Sequence, residues 1–187
     1  MPEMPTPSQT VGPFFHIGLP DMSPELVSPD DPDAVRIVGT VYDGEGEPVV
    51  DAMIEVWQAN RAGRYRHPED TREELPLEDG FEGFGRTGTD DEGGFEFVTV
   101  KPGVVPGPGG APQAPHIDVS IFARGVLKRI ATRIYFPDEA EANAADPVLS
   151  SIEDPDERAS LVAVEEDGAL RFDIRLQGDR QTAFFAV

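Results

Sequence analysis

With no cysteine among its 187 residues, this sequence leaves phenol, imidazole and carboxylate side chains as the groups able to hold a hard metal ion. The search is short: Tyr42, Tyr65 and Tyr135, with His16, His67 and His116. Gly63-Arg-Tyr-Arg-His67 puts a phenol and an imidazole in a loop that follows the apolar run ending at Trp57. In His116-Ile-Asp118 the polar residues are two apart, so in an extended strand both side chains project from one face. Together these spacings resemble a metal site. The absence of cysteine also excludes disulfides, thiolate nucleophiles and Cys-ligated zinc or iron–sulfur centres. No Walker loop, H-E-x-x-H or G-x-S-x-G motif is present. The 36 acidic residues offer too many carboxylate pairs to single out a glycosidase pair.

The elements that must position these groups read as β-strands. Val35 to Tyr42, Ala52 to Gln58, Gly94 to Val100, His116 to Phe122, Leu127 to Phe136 and Arg171 to Leu176 are β-rich or alternating runs. Asp43-Gly-Glu-Gly-Glu-Pro48 is a hairpin or sandwich connection, and Thr89-Asp-Asp-Glu-Gly93 is a turn. Ile117, Val119 and Ile121 share one face, Phe172, Ile174 and Leu176 point inward, and 182–187 ends the sheet. The Pro- and Gly-rich stretch from Pro102 to Pro115 reads as a long irregular loop of the kind that often carries function. The acidic stretch from Glu69 to Glu82 reads as a solvated loop, and 138–145 and 155–162 as short helices. The fold expected is all-β: an antiparallel β-sandwich core with short helices, long loops and an extended N-terminal arm. Residues 1–34, with eight prolines, read as an arm packing on a partner chain, and 35–187 as the sandwich domain.

A formal charge of −21 gives no basic footprint for nucleic acid and repels an acidic membrane surface. No apolar stretch approaches the roughly 20 residues that cross a bilayer. The first ten residues lack the basic start and apolar run of a secretory signal, so a cytoplasmic protein is expected.

Val56-Trp-Gln-Ala-Asn60, Gly63-Arg-Tyr65, Lys101-Pro-Gly103, Ala114-Pro-His-Ile117 and Arg133-Ile-Tyr-Phe136 stand in the order and spacing of the intradiol ring-cleaving dioxygenases, which this chain resembles. Ser8-Gln-Thr-Val-Gly-Pro13, Ile121-Phe-Ala-Arg-Gly125 and Arg171-Phe-Asp-Ile-Arg175 extend the resemblance over nearly the whole chain. It implies a non-haem ferric centre held by two Tyr and two His. The first Tyr falls on Tyr65. The second, in a G-x-Y-P context, falls on Val105, and the H-x-H pair falls on His116 and Asp118. Tyr65, Val105, His116 and Asp118 are therefore vestigial ligand positions, and no metal is expected in this chain. Asp118 is expected to pair with an Arg or with His116.

In heteromeric members the resemblance implies an alpha and a beta chain of similar fold, with Fe(III) bound by the beta chain and the alpha chain lining part of the cavity for a catechol acid and O2. Gly12, Pro13 and Phe14 match the alpha segment that reaches the partner's cavity, where Tyr is frequent in place of Phe14. Arg124 matches an Arg beside the substrate carboxylate, a task that suits the guanidinium fork. For Phe14 the other reading is an interface anchor, and for Arg124 a salt bridge at a strand end. Two alternative functions stay open: a non-catalytic β-sandwich binding or structural module, and an independent intradiol enzyme using Tyr65, His116 and Asp118. Neither His16 nor His67 is assigned a catalytic role.

Overall fold

The computed structural model describes residues 9–10, 12–14, 18–19 and 22–186; His16 and the side chain of Pro13 lie outside them. Two sheets face each other. One joins β1 (Ala34–Tyr42) to β4 (Gly94–Val100) antiparallel, and to β10 (Ala169–Arg171) and β11 (Ile174–Arg175) parallel, with β9 (Val164–Glu166) beyond β10. The other is antiparallel, in the order β3 (Phe84–Gly88), β2 (Met53–Trp57), β7 (His116–Phe122), β8 (Ile130–Tyr135). The connection from Asp43 to Pro48 thus joins strands of different sheets. Ile37 and Val41 of β1, Phe95 and Phe97 of β4, Ile54 and Val56 of β2 and Ile117, Val119 and Ile121 of β7 fill the space between. Each such buried side chain contributes about 1.5–3 kcal/mol relative to exposure.

The alternation read in β7 is the one observed. Its apolar residues enter the core, leaving His116, Asp118 and Ser120 on the outer face of the sheet. Only two α-helices are found among the described residues from Ser23 onward, Ala140–Ala145 and Pro155–Ala159; the second opens on Pro155 with the Asp154 carboxylate accepting from Asp156 N.

Four features depart from the sequence reading. The run from Arg171 to Leu176 is two short strands: between them Phe172 N donates to Val38 O at 2.8 Å and the Asp173 carboxylate accepts from Thr40 N at 3.1 Å, so a side chain replaces one ladder partner. Strand β3 was not anticipated because Gly83-Phe-Gly-Arg-Thr-Gly88 has poor β propensity, and it forms between two templates, β2 on one side and Ser23 on the other. Those six residues also carry the spacing of a G-x-G-x-x-G loop, yet they form a strand that leads through a turn into β4 rather than opening a helix. The Pro/Gly-rich segment holds a small ladder, β5 (Val105–Pro106) with β6 (Pro112–Gln113). The acidic stretch is anchored, with Phe81 in the core and Glu78 paired with Arg61.

Of the expected arm, 22–34 lies on this chain's own sandwich. Ser23 and Arg86 exchange backbone hydrogen bonds at 2.8 and 3.0 Å, and Leu26 enters the core.

Candidate functional site

The loop after β2 is organised by two buried amides. Gln58 donates to Val100 O at 2.9 Å and accepts from Thr99 Oγ1 at 2.7 Å, tying the end of β2 to β4. Asn60 accepts from Ala62 N at 3.0 Å and Arg64 N at 2.9 Å, and donates to Pro76 O at 2.8 Å. Gly63 closes the turn at φ +79°, and a Cβ there would lie 2.2 Å from Val104 O. Only glycine lets this turn meet the segment carrying Val105. The conspicuous Trp-Gln-Ala-Asn…Gly pattern is thus the scaffold that delivers Tyr65, whose ring stacks on Trp57 at 5.9 Å and 12°. Beside it, Arg72 forks onto Asp70, which also accepts from Tyr65 N at 2.8 Å. The Arg72 hydrogen bond holds the Asp70 carboxyl down to about 2. His67 is edge-on to Trp57 and exposed, its Nδ1 accepting from Glu69 N at 3.2 Å.

His116 is buried, and its Nδ1 donates to Ala114 O at 2.7 Å. That contact leaves Nε2 as a bare lone pair with no hydrogen-bond partner among the described residues. Burial first, then the Arg133 charge, pushes the imidazole pKa down and keeps the ring neutral. Asp118 faces Arg133 in the register of β7 with β8, and Arg133 Nε donates to its carboxylate at 2.8 Å. Arg133 Nη1 reaches Gln113 Oε1 and Tyr135 Oη, both at 3.3 Å, and the Tyr135 hydroxyl donates to Asp146 at 3.3 Å. Asp146 is fully buried and accepts from Ala114 N, Val148 N and Leu149 N at 2.8–2.9 Å. Burial, with the Asp118 carboxylate adding, pushes the Tyr65 phenol up to about 12.

These residues do not fit a ferric ion. Val105 is buried with no donor atom, and the Asp118 carboxylate is committed to Arg133. A trication held by hard anionic ligands is left with the Tyr65 phenol and one neutral imidazole lone pair. The sequence reading expected Asp118 to pair with an Arg or with His116, and the partner is Arg133.

Arg124 lies just past the far end of β7, on the order of 25 Å from His116 at about 3.3 Å per residue. Its Nε sits 3.0 Å from Asp51 Oδ2, while its side chain is 65% exposed and its terminal nitrogens donate to nothing among the described residues. The next residue carries the arm: Gly125 N donates to Thr10 Oγ1 at 3.0 Å, and the same hydroxyl accepts from Gly12 N at 3.3 Å. Gly12–Phe14 forms a single 3-10 turn there, with Phe14 65% exposed. A cleft of about 530 Å³ opens along this end, lined by Asp51, Arg124, Gly125 and the 48–50 segment.

The six residues Gly12, Phe14, Tyr65, His116, Asp118 and Arg124 therefore divide between the two ends of β7. Sequence reasoning gave no role to Arg133, Thr10 or Asp146. The signal for Arg133 was its register opposite Asp118, which requires knowing where the turn after β7 closes; for Asp146 no signal was present, because its partners are backbone amides.

A family model described as Dioxygenase matches residues 12–178. The chain belongs to this dioxygenase family. The dioxygenase chain is 47% identical to the protocatechuate 3,4-dioxygenase alpha chain of Pseudomonas putida, covering 96% of this chain and 95% of that one. It is 38% identical to the protocatechuate 3,4-dioxygenase beta chain of Burkholderia cepacia, over 91% of this chain and 75% of the relative. Among solved structures, the dioxygenase domain of a dioxygenase–carbohydrate-binding fusion from Streptomyces sp. SirexAA-E superposes with a TM-score of 0.60 at 27% identity, covering 94% of this chain and 99% of that one. No helix among the described residues is long and apolar enough to cross a membrane.

Proposed function

We propose that this chain is the alpha subunit of a cytoplasmic protocatechuate 3,4-dioxygenase, in which O2 opens protocatechuate between its hydroxylated carbons to 3-carboxy-cis,cis-muconate. In this reading a beta chain holds the non-haem ferric ion, and no step of the chemistry passes through this chain's own Tyr65 pocket. The contribution of the alpha chain is to bind and orient. Gly12, Pro13 and Phe14 form a wall of the partner's cavity, and Arg124 offers its guanidinium fork to the substrate carboxylate. Fixed geometry and a water-poor wall raise effective concentration without any bond being made by this chain.

The observation that carries the reading is the Thr10 hydroxyl, which receives both Gly125 N and Gly12 N and so holds the arm turn beside Arg124. Thr10 and Gly125 are 115 residues apart in sequence, yet both segments fall in the substrate-side part of the family pattern. Asp51 engages the inner edge of the guanidinium and leaves the outer nitrogens for an incoming carboxylate.

The reading is tested by iron content. Near zero iron in this chain purified alone, and one per alpha/beta pair in the coloured complex, is the expected result. One iron per isolated chain overturns it in favour of an independent enzyme, and failure to form any complex favours a stand-alone β-sandwich module.

A further inference from the structure

The region around Tyr65 lacks a donor at Val105 and has an aspartate in place of the second histidine, yet it remains polar. Trp57 stacks on Tyr65, His116 Nε2 has no hydrogen-bond partner among the described residues, and a cleft of about 580 Å³ on the outer face of the sheet is bordered by Trp57, Asp118 and Arg133. The Asp118 side chain is 40% exposed, and a partly desolvated carboxylate is stabilised by a countercharge.

We infer that Arg133 is the built-in cation of this pocket: its guanidinium takes the place of the metal charge, ties up Asp118, and bars iron even where the missing ligands are restored. Three geometric observations carry this. Arg133 Nε lies 2.8 Å from Asp118 Oδ1, the carboxylate at one of the four ligand positions. The guanidinium is anchored at its other edge by Gln113 and Tyr135, so it cannot swing away without leaving both. The ring of Tyr135, whose hydroxyl accepts from Arg133, lies 5.6 Å from that of His116, so the guanidinium is tied to the residue packed on the remaining imidazole. A trication entering there would face a fixed positive charge and a carboxylate already spent. The loss of Val105's and Asp118's ligand function is therefore not the only barrier, and Arg133 is a separate and sufficient one.

The inference rests on the alpha-chain reading only for its host. In the alpha/beta complex, iron per pair and the visible tyrosinate-to-iron absorption are measured for three forms: the parent, Val105→Tyr with Asp118→His, and that pair with Arg133→Gln. About one iron per pair is expected in the first two, and an approach to two, with a stronger visible band, in the third. Two irons per pair while Arg133 is present, or still one when it is gone, overturns the inference. If no complex forms, the alpha-chain reading has failed, and the same counts on the chain alone, from a baseline of zero, decide this one. Should the triple variant not fold, Arg133→Gln alone is titrated with Co2+: a new visible band absent from the parent supports the inference, and its absence overturns it.

Discussion

The two ends of β7 carry the same kinds of group, arginine against aspartate beside an aromatic, and treat them in opposite ways. At the His116 end Arg133 is 18% exposed, its Nε donates to Asp118 and its Nη1 to Gln113 and Tyr135. At the other end Arg124 is 65% exposed and a single nitrogen touches Asp51. One end is a network that runs from Asp118 through Arg133 and Tyr135 to Asp146; the other keeps the terminal nitrogens of Arg124 exposed beside an exposed Phe14. Closed networks stabilise and specify a fold, whereas unspent charged donors bind something else. The end that resembles an active site in sequence is thus closed by an internal ion pair, and the end with no metal-binding residues keeps an exposed guanidinium.

This comparison expects substitutions at the closed end to change stability, and those at the open end to change substrate affinity. The largest effect is expected from Gly63→Ala, which forces a Cβ against Val104 O at positive φ: about 3 kcal/mol of stability lost, read as a lowered urea midpoint with unchanged slope. Next is Arg124→Ala, expected to raise KM about tenfold, roughly 1.4 kcal/mol, with kcat nearly kept and stability shifted by less than about 0.5 kcal/mol. Unchanged KM would remove the open end from substrate binding.

Arg133→Met should do the reverse, lowering stability by about 1 kcal/mol, a figure kept small because Asp118 is 40% exposed, and leaving KM alone. A KM change comparable to that of Arg124→Ala would break the comparison. The smallest effect concerns acid. The Asp70 carboxyl is held down to about 2 in the folded chain against 3.8 in its absence, so the unfolded chain takes up the proton first. The stabilisation from its pair with Arg72 is complete above about pH 4 and is lost as pH falls toward 2. An NMR titration should find that inflection near 2, and Arg72→Gln should move it back toward the ordinary carboxylate range.

Legibility followed how local the determining interaction is. Strand β7 and its two faces could be read directly, because a period of two needs only seven consecutive residues. Strand β3 could not, since Gly85 and Gly88 oppose it locally and only pairing with Met53–Trp57 and Ser23 supplies its hydrogen bonds. The break at Phe172 and Asp173 was hidden for the same reason: Asp173 reaches Thr40 across 133 positions.

What the sequence determined by itself was chemical inventory: no thiolate, three tyrosines and three histidines, an all-β pattern, and a strong negative charge. Residue type and short-range spacing suffice for such statements. Only the tertiary structure decided which charges are held and which stay exposed, because Arg133 and Arg124 each meet an aspartate at Nε and differ in burial and in what the fold brings to their terminal nitrogens. Electrostatic interaction falls with distance and rises with burial, and neither quantity exists until the two sheets have closed on each other.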